Sequence, residues 1–412
     1  MFCYIHIPFC ESKCKYCRFA SIGNLQEKRI EKYVGELVNE IKRPVLFTKT
    51  GLKSVYFGGG TPSVLNLEQL ENILGTLKNK FGSQKNIEIT LESTPNNITK
   101  ENLVGWKKLG INRLSIGVQT LNENSLKEIG RGKKGDVIKA LDEVKGFLNN
   151  PSPFITFQGL PLTKEEIKDG KNRSLPFSKG VPEEGGGGII ISLDFIIGLP
   201  HVKPGEIKKD IEYILGNYDF IKHISVYMLE EYYDESKVKS EKGKVSNSKY
   251  DNIFYPKIWK EIGIKEEEYL GEYLEVKRYL ESRGFIKYEI SNFAKPGFEC
   301  KHNKAYWNHD EVVAFGVAAS GFVNGARYTN SDSFEGYYAG EKTLDKLDEE
   351  DLFLEKLMFG LRTTGVGKEI YEKLDKEKID YFINEGYLKF EECFLKLEDK
   401  GVLVLDYIIR EI

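Results

Sequence analysis

Three cysteines crowd into the opening of the chain, Cys10, Cys14 and Cys17, in a C-x3-C-x2-C arrangement. Spacings this short put three thiolates on one loop, where they converge on a single metal centre. A four-iron four-sulfur cluster normally has four cysteine ligands, so three leave one iron with an open position, as a metal site does when it must take an exchangeable ligand. The amino and carboxylate groups of a methionine moiety would chelate that iron and set a sulfonium beside the cluster for one-electron cleavage. Zinc is the competing occupant, since C-x2-C alone suits it, but no second cysteine or histidine pair follows at zinc-finger spacing. Cys3, Cys300 and Cys393 are isolated in sequence and read as small buried hydrophobes. Cys300 stands two residues before His302, so a role beside that histidine stays open.

Gly58-Gly59-Gly60-Thr61-Pro62 lies between a strand pattern and a helix pattern. Backbone without side chains can press close to a ligand there and donate N–H groups. A tight turn would explain the glycines equally well, and no Gly-Lys-Ser/Thr ending makes the stretch a phosphate loop. Glu92, Gln119, Arg131 and Asp194 have the polar groups to hold a ribose and an amino-acid carboxylate. Singly each is an ordinary structural or surface residue; together, in or near the ends of successive strands, they form a plausible pocket.

Those residues need a frame, and the hydrophobic spacing supplies one. Ile30, Val34, Leu37 and Ile41 mark a helix over Gln26–Arg43, and the same period predicts helices at Leu67–Phe81, Lys100–Leu109, Lys134–Leu148, Glu206–Leu215 and Glu268–Ser282. Short apolar runs at Ser54–Phe57, Asn86–Leu91, Asn112–Val118, Ile189–Leu199 and His223–Leu229 read as strands. This alternation implies right-handed crossovers and a parallel sheet, either open or curved into a full or partial barrel. In both cases chemistry belongs at the C-terminal ends of the strands.

Two segments break the rhythm. Residues 149–188 carry five prolines and close on Gly185 to Gly188, and a charged stretch covers about 235–252. The first has too little apolar surface to order itself and is expected to be a mobile surface insertion, more a tolerated loop than a lid. From Asp345 onward, helical patterns at Asp351–Leu361, Lys368–Leu374 and Lys376–Asn384 precede two β-like runs, Tyr387–Leu397 and Val402–Ile409, which suggests a winged-helix-like α+β module. Residues 345–412 hold 11 Lys and Arg against 18 Asp and Glu, the wrong sign for a surface that must neutralise phosphates. A packing or lid domain is the better expectation, and no nucleic acid partner is expected.

The whole chain supports a globular α/β protein with a sizeable core: 412 residues, 40% hydrophobic, 30% charged and a formal net charge of −3. The N-terminus has none of the regions of a signal peptide, and no window reaches the ~20 apolar residues of a membrane-spanning helix. A cytoplasmic protein without a transmembrane segment is expected; peripheral contact with a membrane stays open.

Five stretches, taken in order, resemble one family. Tyr4-Ile5-His6-Ile7-Pro8-Phe9-Cys10 leads into the cysteines, followed by GGGTPS, by GINRLSIGVQ at Gly110–Gln119, by DFIIGLP at Asp194–Pro200 and by YEISNFAKPGFECKHNKAYW at Tyr288–Trp307. Together they are similar to the oxygen-independent coproporphyrinogen III oxidase-like radical SAM proteins, over most of the chain apart from the two insertions. The resemblance implies a partial (βα)6 barrel, a 4Fe-4S cluster on Cys10, Cys14 and Cys17, and S-adenosylmethionine held by Tyr4, Gly58, Gly59, Gly60, Thr61, Glu92, Gln119, Arg131 and Asp194. It also implies three parts: a core barrel over 1–230, an extension over 231–344 and a small C-terminal domain over 345–412.

Two branches of that family differ in what they do. The porphyrinogen-decarboxylating enzymes carry a further cysteine two positions after the third, where this chain has Phe19. The haem chaperone, or HemW-like, branch is therefore favoured, with haem passed to an acceptor protein; an oxygen-independent coproporphyrinogen III dehydrogenase is the alternative. His302, Asn303, Tyr306 and Trp307 match the HNxxYW motif associated with haem in that branch. Chemically a neutral imidazole can ligate haem iron, and aromatic rings offer flat faces to the macrocycle. A histidine beside two aromatics is also a common core arrangement. Arg327 is a candidate partner for a haem propionate.

Overall fold

The computed structural model describes residues 1–44, 51–149, 188–229 and 266–412; both expected insertions lie outside the described residues, apart from the two end positions of the first. Six strands run parallel in sequence order: β1 (Phe2–Ile7), β2 (Leu52–Gly59), β3 (Ser83–Ser93), β4 (Arg113–Gln119), β5 (Ile190–Ile197) and β6 (Ile221–Met228). Helices α1 (Glu27–Lys42), α2 (Leu67–Phe81), α3 (Lys100–Lys108), α4 (Glu123–Ile129), α5 (Lys134–Asn149), α6 (Glu206–Asn217) and α7 (Glu266–Ser282) intervene or follow. The fold is α/β, with the parallel sheet that the alternation predicts. Helix α4 escaped the periodicity reading because it spans only seven residues. Its signals were present in the Asn122 cap, which accepts from Ser125 N, and in Gly130, left-handed at its C-terminal end.

The parallel strands do not read as unbroken apolar runs, and the register explains why. One set of alternate residues is apolar: Cys3, Ile5 and Ile7, then Val55 and Phe57, Ile89 and Leu91, Leu114 and Ile116, Leu193, and Ile224 and Val226. All belong to one large core that includes the buried faces of the helices. The other set is largely polar, and neighbours in register share a face. It runs through Tyr4 and His6, Ser54, Tyr56 and Gly58, Glu88 and Glu92, Arg113, Ser115 and Gly117, Ser192 and Asp194, and His223 and Ser225. The outer face is therefore glued to helices by burial, and the inner face is left for chemistry.

The sheet extends beyond the parallel core on both sides. Beside β6 come β8 (Asn292–Ala294) and β7 (Ile286–Lys287); beside β1 come β9 (Val312–Phe315), β10 (Ser320–Val323), β11 (Ala326–Asn330) and β12 (Lys342–Lys346), twelve strands among the described residues. Only β9 of these runs parallel to its core neighbour, β1. A short helix, α8 (Lys301–Trp307), carries the HNxxYW residues, and α9 (Phe334–Ala339) packs Phe334 against Phe9 and Tyr33.

A second, separate core draws on Leu357, Leu361, Ile379, Phe382, Leu388, Leu395, Leu405 and Ile408. It unites α10 (Glu349–Arg362), α11 (Lys368–Tyr371), α12 (Lys376–Asn384), the hairpin of β13 (Leu388–Glu391) and β14 (Phe394–Leu397), and α13 (Leu405–Glu411). Two expectations fail here. The run Val402–Ile409 is not a strand: it is the end of a 3₁₀ turn and most of α13, since Leu405 and Ile408 are buried three residues apart, which is helical spacing. The hairpin lies wholly within the first run, and Cys393 is exposed at its turn with φ of 67°, not buried.

Candidate functional site

The cysteine loop leaves β1 at Pro8 and is closed at its base by two backbone bonds, Cys10 N–H to Ile22 O at 2.9 Å and Ile22 N–H to Pro8 O at 2.7 Å. Within it Cys17 N–H turns back to Cys14 O at 3.1 Å. All three cysteines line one pocket together with Gly60, Thr61 and Arg131. Burial pushes the Cys10 and Cys17 thiols up from their ordinary values, and the Thr61 hydroxyl, donating to Cys10 Sγ at 3.5 Å, works against this. Thiols that resist ionisation alone need a cation to draw off the proton, as metal-ligating cysteines do. Among the described residues no group of three or more His, Cys, Asp or Glu is placed to hold one metal ion. Three thiolates on a single zinc, with bonds of ~2.3 Å, must crowd more closely than three around several irons. The donor set, three thiols of one loop lining one pocket, fits a cluster.

The glycines after β2 are forced by close approach. A Cβ on Gly59, whose φ is 109°, would lie 2.5 Å from the His6 ring, and one on Gly60 would lie 2.7 Å from Phe9 O. The N–H groups expected to face a ligand are engaged within the chain. Gly59 donates to Glu92 Oε2 at 3.2 Å, Gly60 to Ile7 O at 2.7 Å and Thr61 to Phe9 O at 2.8 Å. The loop is locked against β1 and the cysteine segment.

Glu92 and Asp194 share one electrostatic environment with Arg131. Burial pushes Glu92 up to about 7, against the pull of the Tyr56 hydroxyl at 2.8 Å, and each carboxylate feels Arg131. Asp194 is also raised by burial, although Ser115 Oγ lies 3.1 and 2.9 Å from its two oxygens. Gln119 sits at a bulge between β4 and β5 with φ of 69°, and its amide packs over Gly117. Arg131 is brought in by the end of α4, and its guanidinium donates to Tyr16 Oη at 3.1 Å and 3.3 Å. The structure thus brings Gly58, Gly59, Gly60, Thr61, Glu92, Gln119 and Arg131 around the strand ends, with Asp194 inside β5 beside Ser115. Tyr4 stands deeper on the inner face. Sequence reasoning missed Tyr16, Tyr56, His6 and Ser115, although the polar alternation in the strands pointed at the last three.

The HNxxYW residues are divided among several surroundings. The N-terminal end of α8 is fastened beneath β3 and β4, where Glu88 accepts from His302 N–H at 3.0 Å and Lys301 N–H at 3.2 Å. The buried Arg113 pairs with Glu88 at 3.1 Å and donates to Phe298 O at 2.7 Å. His302 is 1% exposed; its Nδ1 is 2.8 Å from Ser54 Oγ, burial lowers it to about 3, and its Nε2 has no partner among the described residues. It is a neutral imidazole stacked on Tyr56, with ring centroids 5.0 Å apart. Asn303 is half-buried. Tyr306 is 38% exposed, and Trp307 turns away to meet Phe359 of α10 edge-on at 5.6 Å. Burial and the nearby Glu88 carboxylate push the Cys300 thiol up to about 12, so it stays protonated. Arg327 is not waiting for a propionate: it pairs with Glu355 of α10 at 2.7 Å.

Beside α8 lies a cavity of about 880 Å³, walled by Tyr4, His6, Phe19, Tyr306, Thr329 and Lys342 among others. That volume falls within the range of sites for drug-sized ligands. Phe19, 62% exposed, stands on its wall.

Residues 4–169 match the radical SAM superfamily. The chain is 29% identical to the haem chaperone HemW of Bacillus subtilis, over 97% of this chain and 92% of that protein. It is 28% identical to HemW of Lactococcus lactis, over 97% and 93%, and 27% identical to HemW of Buchnera aphidicola from Schizaphis graminum, over 99% and 96%. Among solved structures it is similar to the coproporphyrinogen III oxidase HemN of Escherichia coli, with a TM-score of 0.69 over 99% of this chain and 88% of that one. At 18% identity that likeness is one of fold.

Proposed function

Since the chain carries a radical SAM domain, we propose that it is a haem chaperone, which binds haem, a 4Fe-4S cluster and S-adenosylmethionine and passes haem to an acceptor protein. The observation that carries this is similarity along nearly the whole chain to proteins named haem chaperone HemW, reaching through both the cysteine loop and α8. Phe19, where a decarboxylating enzyme would need a further cysteine, speaks against the oxidase reading.

Cys10, Cys14 and Cys17 would hold the cluster, with Thr61 steadying the Cys10 sulfur; once reduced, such a cluster would supply one-electron chemistry at the sulfonium of S-adenosylmethionine. Glu92 and Asp194, buried within the electrostatic reach of Arg131, are two carboxylates whose ionisation a cationic ligand favours, since an opposite charge offsets the burial that raises them. Arg131, positioned by Tyr16, supplies a fixed positive charge for a carboxylate. For haem, the cavity beside α8 offers Tyr306 and Phe19 as flat faces and Lys342 as a cation for a propionate. Of the HNxxYW side chains, Tyr306 lines this cavity directly.

Titration of the purified chain with hemin tests the reading. A saturable Soret band that transfers to an apo-haem protein is expected. No saturable band removes the proposal, and formation of protoporphyrinogen IX from coproporphyrinogen III under anaerobic reducing conditions would replace it with the oxidase.

A further inference from the structure

His302 does not line the cavity, yet its ring meets Tyr306 on the cavity wall and both tyrosines from which hydrogen-bonded paths lead toward the cofactor pocket. Its ring stacks on Tyr56 at 5.0 Å and 25° and on Tyr4 at 6.4 Å and 28°, and Tyr306 meets it edge-on at 5.2 Å and 85°. Tyr4 and Tyr56 also stack on each other at 6.2 Å. Each of these two tyrosines begins a directed hydrogen-bond path.

The first path runs to the loop after β2. Tyr56 Oη donates to Glu92 Oε1 at 2.8 Å, and Glu92 Oε2 accepts from Gly59 N–H at 3.2 Å. The second runs to the cysteine loop. His6 Nε2 lies 2.7 Å from Ala20 O and must donate to it, so the neutral ring presents Nδ1 as an acceptor for Tyr4 Oη at 3.0 Å. Burial lowers His6 to about 4, which keeps the ring neutral, and the Ala20 carbonyl fixes its tautomer. Ala20 is three residues beyond Cys17.

We propose that His302 is a positioning residue whose ring couples occupancy of the cavity beside Tyr306 to the shape of the cofactor pocket, so that a flat macrocycle and S-adenosylmethionine bind interdependently. This inference rests on the proposed haem-binding reading. The cavity wall itself includes Tyr4, His6, Ala20 and Tyr306, so a planar ligand pressed on Tyr306 bears on the stack and on one path at once. Close-packed rings transmit such a displacement because they have no void to absorb it. Coupling of this kind is reciprocal: whatever factor the macrocycle exerts on S-adenosylmethionine affinity, S-adenosylmethionine exerts on the macrocycle.

The test is equilibrium binding of S-adenosylmethionine to the full, cluster-reconstituted chain, with and without saturating hemin. A change in affinity of about 5-fold or more is expected, the lower end of usual coupling. In His302→Leu and Tyr56→Phe the ratio should fall to about 1. His302→Phe, which keeps a flat ring but cannot ligate iron, should retain most of it. In all three the hemin Soret maximum should stay where the unsubstituted chain has it. A ratio of 1 in the unsubstituted chain, where hemin binds, overturns the coupling and leaves the haem reading standing. A Soret maximum that shifts in His302→Phe overturns it too, by making His302 an iron ligand. Absence of hemin binding sinks the haem reading, and the coupling falls with it. Tyr56→Phe loses one hydroxyl, so the test survives if the His302 variants do not fold.

Discussion

The two ends of the barrel interior treat their polar residues in opposite ways. At the upper end, Glu92, Asp194 and Arg131 crowd near one another with carboxylates held away from their ordinary ionisation by burial. At the lower end, Glu88 and Arg113 are just as deeply buried but paired at 3.1 Å through Glu88 Oε2, and both carboxylate oxygens also accept from the backbone of α8. Charge left uncompensated marks a place prepared for a ligand; charge that is paired at contact distance marks a joint. By that criterion the barrel floor is a fastening for the HNxxYW helix, and the opposite mouth is where chemistry occurs.

The largest expected effect sharpens the upper end. Replacing Cys10, Cys14 and Cys17 together by serine should abolish iron retention and visible absorption after anaerobic reconstitution. The fold should persist, because the backbone groups of Pro8, residue 10 and Ile22 close the loop whatever side chain residue 10 carries. Retained iron would mean that another group holds the metal.

An intermediate effect probes the joint. Arg113→Met leaves Glu88 buried without its partner and should cost about 3–5 kcal/mol of stability in denaturant unfolding. A loss under ~1 kcal/mol would show that the floor does not depend on the pair, and the contrast between the two ends would collapse.

The smallest effect concerns pH. Glu92, raised to about 7 by burial, binds its proton more tightly folded than unfolded, so its contribution to stability is present below pH ~4.5 and is lost as pH climbs through about 7. That loss approaches ~3 kcal/mol at most. Glu92→Gln should flatten this part of the stability–pH curve between pH 5 and 8, measured by urea unfolding. It should also weaken S-adenosylmethionine binding. An unchanged curve would mean that the carboxylate is already ionised in the free protein.

Much of this was legible in the residues. Cysteine spacing is local, and three thiols within eight positions stay on one loop and line one pocket. Helix and strand periods are local too, so α2 and α12 emerge at their expected limits. The strand-end position of Glu92 and Gln119 follows from parallel topology, which the alternation of helices and strands already implies.

Other features needed the fold. Adjacent residues in His302–Trp307 diverge because a helix turns each by about 100°, and only the neighbours decide which face is core, which is cavity and which meets α10. The fates of Arg327 and of the glycine N–H groups depended on partners far away in sequence, Glu355 in one case and Glu92 and the turn after β1 in the other. Period and spacing act through bonds and short loops, so a sequence carries them. Pairing across the barrel depends on which distant side chains share a space, and that is decided when the chain closes around it.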